Sequence, residues 1–126
     1  PGGVRIGTAE IYRPVEEMKE IEDSLVVAQP WESDVRIVLF VVLRDGIRLD
    51  ENLVAKIKTV IRSDTTPRHV PARILAIPDV PRTISGKKVE KAALQTIKGE
   101  DIENTSALAN PGSLEHFSKL SEELRK

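Results

Sequence analysis

The most constraining feature of the sequence is a nearly unbroken apolar segment at residues 35–43, which reads Val-Arg-Ile-Val-Leu-Phe-Val-Val-Leu. Its β-branched residues favour a strand, and its lack of polar alternation indicates burial on both faces. We therefore expect a central strand of a sheet. The uncharged part of this segment, residues 37–43, is far shorter than the roughly 20 residues of a membrane-spanning helix, so no membrane span is predicted.

The segments around this strand predict an α+β domain, a small three-stranded sheet flanked by helices. Each segment is assigned from its apolar periodicity and from the prolines and glycines at its ends. The predicted elements are a helix from residue 9, strands over 24–28 and 35–43, a helix over 50–62, a strand over 73–77 and a helix over 87–98.

Individual residues mark the ends of these elements. Thr8 is expected to cap the first helix through its side chain, and Pro14 to kink or end that helix. Asp50 is expected to cap the second helix, and Gly99 suits the end of the last one. The segment at residues 67–71, which begins and ends with proline, is predicted to be non-helical.

Length and composition place the chain among globular proteins. Its 126 residues fit one domain, and 40% hydrophobic with 31% charged residues is typical of a folded soluble chain. We expect a domain over residues 1–99 and a C-terminal extension over residues 100–126 that packs on this domain or trails from it. The chain begins at Pro1 without the features of a secretory signal, and we expect it to be a segment of a longer protein.

Two kinds of site are disfavoured by residue type. The absence of cysteine excludes disulfides, thiolate zinc sites and cysteine nucleophiles. The two histidines, His69 and His116, lie in unrelated contexts, so no metal site is predicted.

Residues 81–87, Pro-Arg-Thr-Ile-Ser-Gly-Lys, form the segment with the clearest chemical potential. A lysine ammonium neutralises phosphate or carboxylate, and a neighbouring glycine allows close approach of the backbone to a ligand. The segment is not a Walker A loop, because the leading glycine is missing. Taken alone, the pattern fits an ordinary surface lysine better than a functional one. Residues 62–91 hold seven basic residues against three acidic ones, an excess that fits either an anion site or a solvated surface.

Two segments resemble motifs of the adenylate-forming superfamily, which contains acyl-CoA synthetases, peptide-synthetase adenylation domains and luciferases. Residues 81–87 resemble its Pro-x-Thr-x-Ser-Gly-Lys motif. Residues 3–11, Gly-Val-Arg-Ile-Gly-Thr-Ala-Glu-Ile, are similar to the motif that opens the C-terminal lid domain of that superfamily. The resemblance covers the chain from Gly2 to about Lys98 and implies the fold of that lid domain.

Three further segments resemble acetoacetyl-CoA synthetases more than acetyl-CoA synthetases. They are residues 10–13, residues 68–72 and the tail segment at residues 107–111, which reads Ala-Leu-Ala-Asn-Pro. Most other relatives end near the last predicted helix, so the tail is the most specific of the three.

The resemblance implies roles for five residues. Lys87 would enter the active site for adenylation, contact the carboxylate and the nucleotide, and withdraw before thioester formation. Arg5 would contact ATP phosphate, Gly2 and Gly3 would line the CoA tunnel, and Arg62 would contact CoA. For Arg62, stabilisation of a helix C-terminus is an equally good interpretation.

The resemblance also implies partners that this chain does not contain. A large N-terminal adenylation domain of the same protein would bind ATP, Mg²⁺, CoA and a small carboxylic acid, so the chain alone is expected to be inactive. A cytoplasmic location is expected. The alternative is an independent module that binds CoA, a nucleotide or another protein without catalysis. Nucleic acid is disfavoured because the net charge is −1 and only 3% of residues are aromatic.

Overall fold

A computed structural model of the chain describes residues 8–100 and 107–125. The chain divides into two compact units, Pro1–Ala76 and Ile77–Lys126, and we describe each by itself. The first unit contains helix α1 (Ala9–Glu16), strands β1 (Ile21–Trp31) and β2 (Asp34–Leu43), helix α2 (Glu51–Asp64) and strand β3 (Arg73–Ala76). The second contains helices α3 (Glu90–Ile97) and α4 (Leu114–Leu124).

The sheet of the first unit has the strand order β1-β2-β3. Strands β1 and β2 form an antiparallel hairpin, whereas β3 pairs with β2 in parallel. The parallel pair is possible because α2 lies between β2 and β3 in the chain and returns it to the same end of the sheet. The predicted α+β class and the central position of the strand at residues 35–43 are confirmed.

The core of the first unit forms where α1 and α2 pack on one face of the sheet. From β2, the alternate residues Ile37, Leu39 and Val41 join this core. The intervening Val38, Phe40 and Val42 are buried as well, which explains why the strand sequence does not alternate. The helices contribute the following buried residues: Ile11 and Val15 from α1, and Leu53, Ile57 and Ile61 from α2.

The beginnings of the two helices differ in how they are capped. The Asp50 side chain accepts a hydrogen bond from the Leu53 amide at 2.8 Å, which confirms the predicted cap of α2. The predicted side-chain cap at Thr8 is wrong, because the Thr8 backbone is already helical and its side chain makes no capping hydrogen bond. Instead, the Thr8 carbonyl accepts from the Ile11 amide at 3.0 Å.

Two predictions about proline need correction. Helix α1 does not end at Pro14, which is buried, but continues to Glu16. The Glu17 amide still bonds to the Arg13 carbonyl at 3.1 Å. The segment predicted to be non-helical contains a short 3-10 turn, Pro67–His69. Pro67 is tolerated at its first position, where no backbone donor is needed.

In the second unit, α3 begins later than predicted. The helix starts at Glu90 rather than Lys87, because Lys88 pairs with Arg82 in an antiparallel bridge. Its end is as predicted. Gly99 has a φ of 79°, and the Gly99 and Glu100 amides bond to the Thr96 and Gln95 carbonyls, the pattern of a Schellman motif.

The described part of the tail, residues 107–125, contains regular structure. A 3-10 turn, Pro111–Ser113, leads into α4, whose Phe117 and Leu124 are fully buried. Within residues 8–100 and 107–125, the structure has no helix with the length and apolar character needed to cross a membrane.

Candidate functional site

The predicted lysine loop is a tight hairpin in the second unit. The Thr83 amide donates to the Lys87 carbonyl at 2.8 Å, and the Gly86 amide donates to the Thr83 carbonyl at 2.8 Å. The Val89 amide closes the base of the hairpin by donating to the Pro81 carbonyl at 3.0 Å. These bonds define a three-residue loop, residues 84–86, that places Lys87 directly after its last residue. We call residues 81–89 the lysine hairpin.

Gly86 is required by the backbone of this hairpin. Its φ is 92°, in a region that side chains with a Cβ atom adopt at a cost. A Cβ atom built on Gly86 would meet no other atom within 4 Å. The glycine is therefore explained by its conformation, as expected for the last position of a three-residue hairpin loop.

Side chains reinforce the hairpin from both arms. The Lys87 amide donates to the Thr83 hydroxyl at 3.1 Å, and that hydroxyl lies 2.9 Å from the Ser85 hydroxyl. The Arg82 guanidinium donates to the Gly86 carbonyl at 2.7 Å. The residues of the sequence motif thus hold one another in place and present Lys87 through the backbone.

The Lys87 side chain is exposed. Lys56 bonds to Glu20, and this bond is the main cause that lowers the pKa of the Glu20 carboxyl below its ordinary 4.5. Lys98 lies 3.1 Å from Glu100. Over residues 8–100 and 107–125, no carboxylate forms a salt bridge with Lys87. Its ammonium group is thus available to an anionic ligand.

Part of the tail pairs with the lysine hairpin. Leu108 forms an antiparallel bridge with Thr83, and the Asn110 side chain bonds to the Arg82 amide. Sequence reasoning did not identify Asn110 as a site residue, although it singled out residues 107–111 for their resemblance. The partners are 28 positions apart, and no local pattern predicts such a contact.

The other predicted site residues lie elsewhere. Arg62 is exposed in the last turn of α2, in the first unit, whereas Lys87 belongs to the second. Gly2, Gly3 and Arg5 lie outside the described residues.

Metal-binding groups are not gathered in the part of the chain that the structure describes. No cluster of three or more His, Cys, Asp or Glu side chains is found there that could hold an ion. His69 is buried, and its Nδ1 lies 2.8 Å from the Thr66 hydroxyl. Its Nε2 makes no hydrogen bond with the described residues and lies 3.5 Å from a Glu10 carboxylate oxygen. The lysine hairpin itself, residues 81–89, contains no Asp, Glu, His or Cys.

Comparison with known proteins gives matches of two kinds. The family model described as "AMP-binding enzyme C-terminal domain" matches residues 15–87. An acetoacetyl-coenzyme A synthetase of Rhizobium meliloti (strain 1021) is 54% identical over 97% of this chain and 19% of the relative. An acetoacetyl-CoA synthetase of Caenorhabditis elegans is 45% identical over 92% of this chain and 17% of the relative.

A solved structure agrees with these matches. The acetoacetyl-CoA synthetase from Streptomyces lividans has a TM-score of 0.87 and 32% identity, over 98% of this chain and 19% of that one. The chain therefore spans about a fifth of the length of the relatives it matches. The resemblance found in the sequence motifs is confirmed, and the chain belongs to the family of AMP-binding enzyme C-terminal domains.

Proposed function

We propose that the chain is the mobile C-terminal domain of an ATP-dependent acyl-CoA synthetase, specifically an acetoacetyl-CoA synthetase. The reaction converts acetoacetate, ATP and CoA to acetoacetyl-CoA, AMP and diphosphate. The observation that carries this proposal is Lys87, which lies in a hairpin whose sequence resembles the family motif. Its side chain is exposed and forms no salt bridge with the described residues. The 54% identity to an acetoacetyl-coenzyme A synthetase supports acetoacetate as the acid.

The chemistry has two steps. A carboxylate oxygen of acetoacetate bonds to the α-phosphorus of ATP, and the bond from that phosphorus to the bridging oxygen breaks, releasing diphosphate. The CoA thiol then loses its proton to solvent and its sulfur bonds to the carbonyl carbon, while the carbon–oxygen bond to AMP breaks and AMP leaves. In the first step two anions must approach each other, and charge moves onto the departing diphosphate.

Lys87 would act in the first step by electrostatics and positioning. Its ammonium neutralises negative charge on the carboxylate and the nucleotide, and holds them close enough to react. No proton transfer or covalent bond at Lys87 is required. An ammonium on a long flexible stem suits this role, because it can reach the reacting groups and later withdraw from them.

Roles for the remaining predicted residues follow from the same proposal. Arg5 would bind ATP phosphate through its planar guanidinium, and Gly2 and Gly3 would leave space for the pantetheine of CoA. Arg62, exposed at the end of α2, would contact CoA or else stabilise the helix terminus.

The proposal implies further parts of the enzyme. A large N-terminal adenylation domain of the same protein would supply the acid and adenine pockets. It would also hold Mg²⁺, which offsets phosphate charge when bound. We propose a domain over residues 1–99 with an extension over 100–126, and a cytoplasmic location.

Partial reactions of the full-length synthetase test the proposal. We expect Lys87→Ala to slow diphosphate release from ATP and acetoacetate by about 100-fold or more, the usual scale for loss of an electrostatic catalytic group. Thioester formation from supplied acetoacetyl-adenylate and CoA should change little.

Lys91→Ala is the matched control, because Lys91 is another exposed lysine of the second unit. It should leave both steps unchanged. Equal rates for wild type and Lys87→Ala in both steps would contradict the proposal and favour a binding module without catalysis.

A further inference from the structure

The tail segment at residues 107–110 forms a third strand-like arm against the lysine hairpin. The Ile84 amide donates to the Ala107 carbonyl at 3.2 Å, and the Ala109 amide donates to the Arg82 carbonyl at 2.8 Å. These two bonds flank the bridge between Thr83 and Leu108. The tail therefore fixes the backbone of the hairpin arm that precedes the loop.

Apolar packing anchors this segment within the second unit. Leu108 is buried and packs with Ala92 of α3 and Leu114 of α4, and Val89 packs against the same cluster. Val89 is also the residue whose amide closes the hairpin. The tail segment and the hairpin base thus share one small core.

Asn110 completes the attachment with its side-chain amide. Its Oδ1 accepts from the Arg82 amide at 2.9 Å, and its Nδ2 donates to the Val80 carbonyl at 2.8 Å and to Asp79 Oδ2 at 2.7 Å. These partners lie on both sides of Pro81, which has no backbone donor. The amide of Asn110 pairs with the backbone around Pro81 as another peptide group would.

These contacts connect Asn110 to Lys87 through the backbone. Arg82, held by Asn110, donates through its guanidinium to the Gly86 carbonyl. Thr83, paired with the tail, bonds to Lys87 through both its amide and its hydroxyl. These contacts hold the backbone from which the exposed Lys87 side chain extends.

We propose that Asn110 is a positioning residue for Lys87, which makes the C-terminal tail part of the adenylation machinery. This inference rests on the proposed function of Lys87. It predicts that Asn110 affects the adenylation step and leaves thioester formation unaffected, because only the first step uses the lysine.

The test uses the full-length synthetase and both partial reactions. Asn110→Ala should lower kcat for diphosphate release by about 10-fold to 100-fold, the scale expected when a reacting group is displaced by about 1 Å. Thioester formation from supplied adenylate should stay within about twofold of wild type, as expected for a step whose groups are undisturbed.

A paired substitution distinguishes positioning from a general loss of folding. Asn110→Asp puts a carboxylate against Asp79 and should impair adenylation at least as strongly as Asn110→Ala. Adding Asp79→Asn restores a donor and acceptor between the two side chains, and should recover at least part of the lost rate. Such coupling between the substitutions reports on a direct contact.

Ile97→Val is the control for stability, because Ile97 is buried in α3 and belongs to the same unit. It should lower the melting temperature and leave both partial reactions unchanged. If it slows adenylation as much as Asn110→Ala does at matched stability, the role of Asn110 is structural only and the inference is wrong.

Lys87→Ala in the same assays separates the two hypotheses. If Lys87→Ala impairs adenylation and Asn110→Ala does not, only the positioning role is contradicted. If Lys87→Ala has no effect, the proposed function itself fails. If Asn110→Ala does not fold, the double variant Asn110→Asp with Asp79→Asn decides. Recovery of its adenylation rate supports the positioning role, and a folded double variant without that recovery contradicts it.

Discussion

Gly86 shows how a single residue sets the geometry of the lysine hairpin. Its φ of 92° would become strained with any side chain, although the space around it is open. We expect Gly86→Ala to lower the free energy of unfolding of the second unit by roughly 1 to 2 kcal/mol. Urea denaturation of the 126-residue chain, followed by circular dichroism, measures this change.

Gly112→Ala provides the control for that prediction. A Cβ atom on Gly112 also meets open space, but Gly112 has no unusual φ, so its substitution should change the stability by less than about 0.5 kcal/mol. If the two variants lose the same stability, conformational strain at Gly86 is not the cause.

At the residue scale, the sequence predicted Lys87 but not what holds it. A role for Lys87 could be predicted because its motif is local, with all seven residues contiguous. Asp79 and Asn110 are 31 positions apart, and neither has an unusual sequence context. Contacts of this kind depend on the path by which the tail returns to the hairpin. Local sequence patterns do not predict that path.

Among the helices and strands, α2 has the strongest local signals. Asp50 bonds to the Leu53 amide, and three residues of one face are buried. We expect Asp50→Ala to destabilise the first unit by about 1 kcal/mol, the usual value for loss of such a cap. Trp31, the single tryptophan of the chain, lies in that unit and provides a fluorescence signal for denaturation.

Asp45→Ala is the matched control, since Asp45 is an exposed aspartate in the turn before α2. It should change the stability by less than about 0.5 kcal/mol. An equal loss in both variants would indicate that the general charge near the helix matters, and that the hydrogen bond does not.

Elements were predicted well where periodicity and end signals agree, and poorly where backbone geometry decides. Periodicity and the cap of Asp50 predicted α2 to within two residues at its end. The turn between β1 and β2 was missed, because Glu32 and Ser33 have φ values of 47° and 67°, and neither is the glycine or asparagine that normally signals such a hairpin. Strand β1, Ile21–Trp31, is accordingly longer at both ends than the strand predicted over residues 24–28.

The division of the whole chain into units bears on the tail. From the sequence we expected a domain over residues 1–99 and an extension over residues 100–126 that packs on this domain or trails from it. In the structure, residues 107–125 fall in the same compact unit as residues 77–100, and Leu108 and Leu114 pack on Ala92. This arrangement implies that the extension is needed for the order of the lysine hairpin.

A truncated chain ending at Glu100 tests this implication. Without the tail, the Ile84 amide loses its acceptor and the Arg82 carbonyl loses its donor, while part of the α3 core is uncovered. Because of these lost contacts, we expect the amides of Thr83, Gly86 and Val89 to exchange with solvent at least about 10-fold faster. A factor of ten corresponds to roughly 1.4 kcal/mol of lost protection. Amide exchange followed by NMR measures this effect.

The amides of β2, which pair within the first unit, serve as the internal control and should keep their protection. Unchanged exchange in the hairpin would instead mean that the order of the lysine hairpin does not depend on the tail.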